Sequence, residues 1–124
     1  MIRCIYIDNF RCLVNFEIRP ESIQLWLGDN GSGKTSVLDA LRAIQRILSG
    51  VHVREVFPSS SLTTWDTRRQ QEMGVDLRMG QHDYAYRVVI AHDMDHGRSR
   101  IEREELLWDN RTFYLFEGRS EERR

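Results

Sequence analysis

Gln24-Leu25-Trp26-Leu27-Gly28-Asp29-Asn30-Gly31-Ser32-Gly33-Lys34-Thr35 runs from an apolar stretch through a glycine-rich turn into Lys-Thr. The string fits the pattern G-x-x-x-x-G-K-[ST], and the residues after it carry apolar side chains at helical spacing. Strand, loop and helix thus follow in the order that a phosphate-binding loop needs. Gly28, Gly31 and Gly33 free the backbone to turn its N–H groups into one concavity, which can hold an anion. The opening turn of the helix adds unpaired N–H groups and the positive end of its dipole. In such a loop Lys34 faces the β- and γ-phosphates of a nucleotide, and the Thr35 hydroxyl ligates Mg²⁺. A glycine-rich turn that matches by chance is the competing reading, and the strand–helix context weighs against it.

Working outward, Val37, Leu38, Leu41, Ile44, Ile47 and Leu48 form the expected apolar stripe of the helix. Arg42, Gln45 and Arg46 form its solvated side, and Gly50 sits where a C-terminal cap belongs. Upstream, Ile2 to Ile7 alternate as a strand with both faces largely apolar. Asp8-Asn9 is a turn signal, Leu13 to Ile18 reads as a second strand and Ile23 to Leu27 as a third. Residues 51–72 read as a linker: Phe57-Pro58 breaks the chain, Ser59 to Ser61 can cap a short helical turn through Trp65, and Asp66 to Glu72 reads as polar loop. From Met73 the period becomes two. Turns at Asp93 to Gly97 and at Asp109-Asn110 separate the strands, so residues 73–118 read as an antiparallel meander and 119–124 as a frayed tail.

The chain has 124 residues, the length of one small domain, and a formal net charge of −1 that gives bulk electrostatics no bias toward nucleic acid or membrane. No apolar run reaches the length of a membrane span, and Met1 to Ile7 lacks the apolar core of a signal peptide, so the expected location is the cytoplasm. Cys4 and Cys12 have no C-x-x-C spacing and are expected as free, packed thiols.

Asn9-Phe10-Arg11, a following strand, G-D-N-G-S-G-K-T-S at 28–36 and V-L-D-A-L at 37–41 together resemble the N-terminal lobe of ABC-type ATPases. The likeness is to the SMC, RecF and OLD branch, including the predicted "AAA family" ATPases of bacteria and archaea. It implies an α/β lobe with α+β character: a mixed sheet, one long helix after the P-loop, then an antiparallel β-subdomain. It also implies ATP and Mg²⁺, held by Gly28, Asn30, Gly31, Ser32, Gly33, Lys34, Thr35 and Ser36, with Thr35 on the metal. In relatives a basic residue after the first strand approaches the nucleotide; Arg11 is the matching position, and an exposed turn arginine is its alternative. By the same analogy, partners are a second copy or the rest of a longer ATPase, and DNA.

Hydrolysis needs more than a phosphate cradle, because an Asp-Glu pair ending an apolar strand supports Mg²⁺ and the attacking water. Val88 to Asp93 is the one apolar run ending in Asp; Met94 follows it, and its alternation is that of a meander strand. No signature helix is present, since Leu48-Ser49-Gly50 ends a helix, and Gln81 does not make a Q-loop. Two further readings stand beside the ATPase lobe. One is a small self-contained P-loop kinase with Asp93 on Mg²⁺ and Asp39 or Asp95 as base. The other is a degenerate, non-enzymatic interaction module.

Overall fold

The computed structural model describes residues 2–19 and 34–118. Three strand–turn–strand units and one 15-residue helix make up most of it. In chain order the elements are β1 (Ile2–Asp8), β2 (Phe16–Ile18), α1 (Lys34–Leu48), the short α2 (Val53–Val56), a 3₁₀ turn at Ser59–Ser61, β3 (Gln70–Met79), β4 (His82–Asp93), β5 (Arg98–Trp108) and β6 (Arg111–Glu117). The strands form a six-stranded sheet in the order β2-β1-β3-β4-β5-β6. Every described pair is antiparallel. Among the described residues the sheet is antiparallel throughout and the fold is α+β. The expected strand at 23–27 lies outside the described residues, as do the tail at 119–124 and the glycines of the loop.

Alternation decides which face is buried. Ile18, Ile5, Val75, Tyr86 and Leu106 align across the strands in one row, and Phe16, Ile7, Met73 and Val88 in the next. These rows form one core cluster with Val37, Ala40, Ala43, Ile44 and Ile47 of α1 and with Val53, Val56 and Phe57. The helical stripe differs from the expected one. Leu38 and Leu48 are exposed, and the buried positions include two alanines, Ala40 and Ala43. The packed stripe is thus rotated toward the two alanines and away from the outer leucines. Gly50, at φ 94°, ends α1: its N–H bonds the Ile47 carbonyl and Val51 N–H the Arg46 carbonyl, a Schellman cap.

Other expectations shift at the boundaries. The second strand is only Phe16–Ile18, because Phe10 and Leu13 bond each other across a tight turn instead of extending it. The linker at 51–72 contains α2 and the 3₁₀ turn, and its last three residues already belong to β3. Gln71, read as loop, is fully buried in that strand. Cys12 is exposed and Cys4 half-buried; both are free.

The other face of the sheet is polar. Arg87 lies flat across β3 to pair with Asp76 at 2.8 Å. Gly74, opposite Arg87 in the ladder, makes room for it: a Cβ there would meet the Arg87 Cδ at 2.7 Å. At the far edge, β6 exposes Phe113, Tyr114, Leu115 and Phe116.

Candidate functional site

The turn between β1 and β2 is built on left-handed backbone. Asn9, Arg11 and Asn15 have φ of 62°, 53° and 49°. Asparagine tolerates this region, whereas an arginine there costs about 1–2 kcal/mol, so the surroundings must hold it. They do so in several ways. Arg11 N–H donates to the Ser61 carbonyl at 2.7 Å, its guanidinium sits 5.3 Å from the centre of the Phe10 ring, and Phe10 packs edge-on against buried Phe57.

From this turn Arg11 reaches α1. Its guanidinium pairs with the Asp39 carboxylate. Asp39 is one helical turn beyond Thr35 on the same side of α1, so Arg11 stands beside the opening of the helix. Cys12 makes a second contact there, its Sγ–H donating to the Ser36 Oγ at 3.7 Å. Thr35 is exposed and Ser36 nearly buried. Lys34 is the first residue of α1. Its side chain lies outside the description, together with Gly28, Asn30, Gly31, Ser32 and Gly33. Of the residues singled out from sequence, the structure sets Arg11 against α1 through Asp39, and its neighbour Cys12 against Ser36.

Behind the turn stands a buried polar network that sequence reading missed. The Asn9 amide donates to the carbonyls of Arg68 at 3.1 Å and Gln70 at 2.8 Å, and its Oδ1 accepts from Thr63 N–H at 3.1 Å. Gln71 Nε2 donates to the Asn9 carbonyl at 3.1 Å and to Ser61 Oγ at 3.0 Å. That orientation leaves Gln71 Oε1 as an acceptor, 2.7 Å from His92 Nε2. His92 must then carry its proton on Nε2, and its Nδ1 accepts from Ser99 Oγ at 2.8 Å. Burial among these neutral partners pulls the His92 pKa below its ordinary value. The only prior signal was the Asp8-Asn9 turn; nothing in the spacing announced that Gln71 and His92 would meet.

A charged cluster flanks the network. Arg68 grips the nearly buried Asp8 carboxylate with two hydrogen bonds, at 2.8 and 2.9 Å, and pairs with Asp66 at 2.7 Å. Hydrogen bonds from Arg68 hold the Asp66 carboxyl down at about 2 and lower that of Asp8, to which Asn15 N–H also donates. Arg68 and Asn9 together fix the path of residues 63–70 against the end of β1.

Asp93, the candidate metal partner of the kinase reading, sits at the exposed end of β4. Its carboxylate accepts from the N–H groups of Asp95 and His96 and pairs with His96 Nδ1 at 2.7 Å. It caps a turn. Among the described residues no group of three or more His, Cys, Asp or Glu side chains is arranged to hold a metal ion. No helix among them is long and apolar enough to cross a membrane.

No curated protein matches the chain. A family model described as "AAA ATPase domain" matches residues 1–72, which span β1, the Asn9 to Arg11 turn, the Lys34-Thr35 string and the start of β3. A match over more than half of the molecule places it among those ATPases: the chain belongs to the AAA ATPase domain family.

Proposed function

We propose that the chain binds ATP with Mg²⁺ through a Walker A loop at Gly28–Thr35, as the front lobe of an ABC-type ATPase of the SMC/RecF/OLD-like kind. One observation carries the reading: the G-x-x-x-x-G-K-T string ends where α1 begins, with Thr35 exposed in the first turn and the strained Arg11 turn beside it. In this reading the backbone of Asn30 to Lys34 surrounds the β-phosphate, Lys34 neutralises the β- and γ-oxygens, and Thr35 ligates Mg²⁺. Ser36 lies toward the α- and β-phosphates. Arg11, exchanging Asp39 for a phosphate oxygen, adds a second cation. Strain at a non-glycine residue is a feature of sites where geometry serves a ligand.

ATP hydrolysis belongs to the complete ATPase, with the Asp-Glu strand and the signature supplied by further sequence and a second subunit. Action on DNA is the role that the resemblance suggests. The kinase reading is disfavoured, since it needs parallel strands after α1 and a free Asp93. An interaction module gains some support from the apolar residues exposed on β6.

Titration with a fluorescent ATP analogue in the presence of Mg²⁺ tests the proposal. Lys34→Ala is expected to weaken binding by about tenfold or more, the equivalent of one charge-assisted contact of ~1.5–3 kcal/mol. Thr35→Ala is expected to abolish the dependence on Mg²⁺. Equal affinity of wild type and Lys34→Ala would remove the phosphate role assigned to the loop.

A further inference from the structure

A cleft of about 840 Å³ opens at the end of the β4–β5 hairpin, beside α2, and none of its lining residues belongs to α1. His52, Arg54, Arg98 and Arg100 line it, with Asp93 and His96 on the rim of the turn. The molecule as a whole is almost neutral, at −1, so this concentration of three arginines is local. Asp93 is the one carboxylate among the lining residues, and its charge is already engaged by His96 and two backbone N–H groups. Arg54 and Arg98 both have exposed side chains, and neither forms an ion pair among the described residues. They come from elements far apart in sequence, α2 and the first residue of β5, yet face one concavity. His92 and Ser99 line it as well, and the hydrogen bonds from Ser99 to His92 and from His92 to buried Gln71 fix the β4–β5 strand ends that carry Arg98 and Arg100.

Two guanidinium groups without carboxylate partners among the described residues, those of Arg54 and Arg98, match the oxygens of a phosphate, which accept paired hydrogen bonds in the plane of the fork. Three imidazoles, of His52, His92 and His96, are the only rings lining the cleft, so it has no large aromatic platform for bases. We propose that the cleft binds phosphate groups, either as free pyrophosphate or as successive phosphates of a nucleic-acid backbone, independently of the loop at Gly28–Thr35. Contacts of this kind position a ligand without reading a base sequence.

The test uses the whole chain carrying Lys34→Ala, so that loss of the nucleotide loop cannot mask or mimic the result. Pyrophosphate is titrated in one arm and a fluorescent single-stranded oligonucleotide in the other, each against Arg54→Ala/Arg98→Ala and the solvated-face control Arg42→Ala. Circular dichroism verifies folding, and the Gln variants at 54 and 98 replace any protein that fails. The paired substitution is expected to weaken binding about tenfold or more. For the oligonucleotide it should reduce the salt slope by about 1.4, near 0.7 per lost phosphate contact. Losses in both arms assign free phosphate as a sufficient ligand; loss in the oligonucleotide arm alone assigns the polymer. No binding in either arm, no loss in the paired variant, or an equal loss in Arg42→Ala would overturn the proposal.

Discussion

Replacing Asn9 with alanine removes the side chain that holds three backbone groups, of Thr63, Arg68 and Gln70, in place. Asn9 is completely buried, and its amide satisfies the carbonyls of Arg68 and Gln70 and the N–H of Thr63. Truncation leaves these groups short of partners in a dry setting, at about 1–3 kcal/mol for each buried group that cannot reach water. Alanine at φ 62° adds about 1 kcal/mol that asparagine largely escapes. With partial relaxation, a loss of about 3–5 kcal/mol is expected, a large part of the ~5–15 kcal/mol that stabilises a domain of this size. Urea unfolding followed by tryptophan fluorescence measures it, with the slope showing whether the transition stays two-state. Two companions separate the contributions. Asn9→Gly keeps the backbone unstrained and should recover about 1 kcal/mol of the loss. Asn9→Asp keeps the acceptor for Thr63 but faces two carbonyl oxygens with a carboxylate, and should be at least as damaging as alanine. A neutral Asn9→Asp, or a cost below about 1 kcal/mol for Asn9→Ala, would refute the role given to the amide.

Three more outcomes follow. Because burial lowers the His92 pKa below 6.5 in the folded chain, the unfolded chain takes up its proton first. Stability from this residue is therefore complete above about pH 6.5 and falls as pH drops toward the lower folded value, and His92→Gln should remove that part of the slope in urea midpoints between pH 7 and 5. Gly74→Ala forces Arg87 off Asp76 but costs only an exposed ion pair while stiffening a strand glycine, so stability should change by less than about 1 kcal/mol; crystallography of the variant should show Arg87 displaced. Phe113→Lys and Leu115→Thr on β6 should lower hydrophobic-dye binding and self-association without lowering the urea midpoint, because both side chains are exposed.

Much of this architecture was legible from residue patterns. The period-two stretch from Met73, the Asp109-Asn110 turn with φ of 49° and 66°, and Gly50 at the end of α1 each carry a local signal whose chemistry decides the backbone. The helical face was misread for a physical reason: a leucine scores as buried by character, but which side of a helix packs is set by the tertiary neighbours, and here Ala40 and Ala43 are buried while Leu38 and Leu48 are exposed. Gln71 and His92 were illegible because their burial depends on partners about 20 and 60 residues away. At the site, Arg11 could be placed by resemblance, whereas its left-handed backbone and its pairing with Asp39 follow from the packing of Phe10 and Ser61, which no local pattern encodes.

The register of β3 has a further consequence for how this lobe could be cut or recombined. The stretch shared with the family stops at residue 72, two residues after β3 starts. Met73 and Val75, just past that point, lie directly opposite Ile7 and Ile5 and close the core beneath α1. A piece trimmed at the shared boundary would bare the first strand along one whole side and open the core. The end of the matched stretch is thus not a border of folding, and any exchange of the C-terminal hairpins must carry the whole of β3 with residues 1–72.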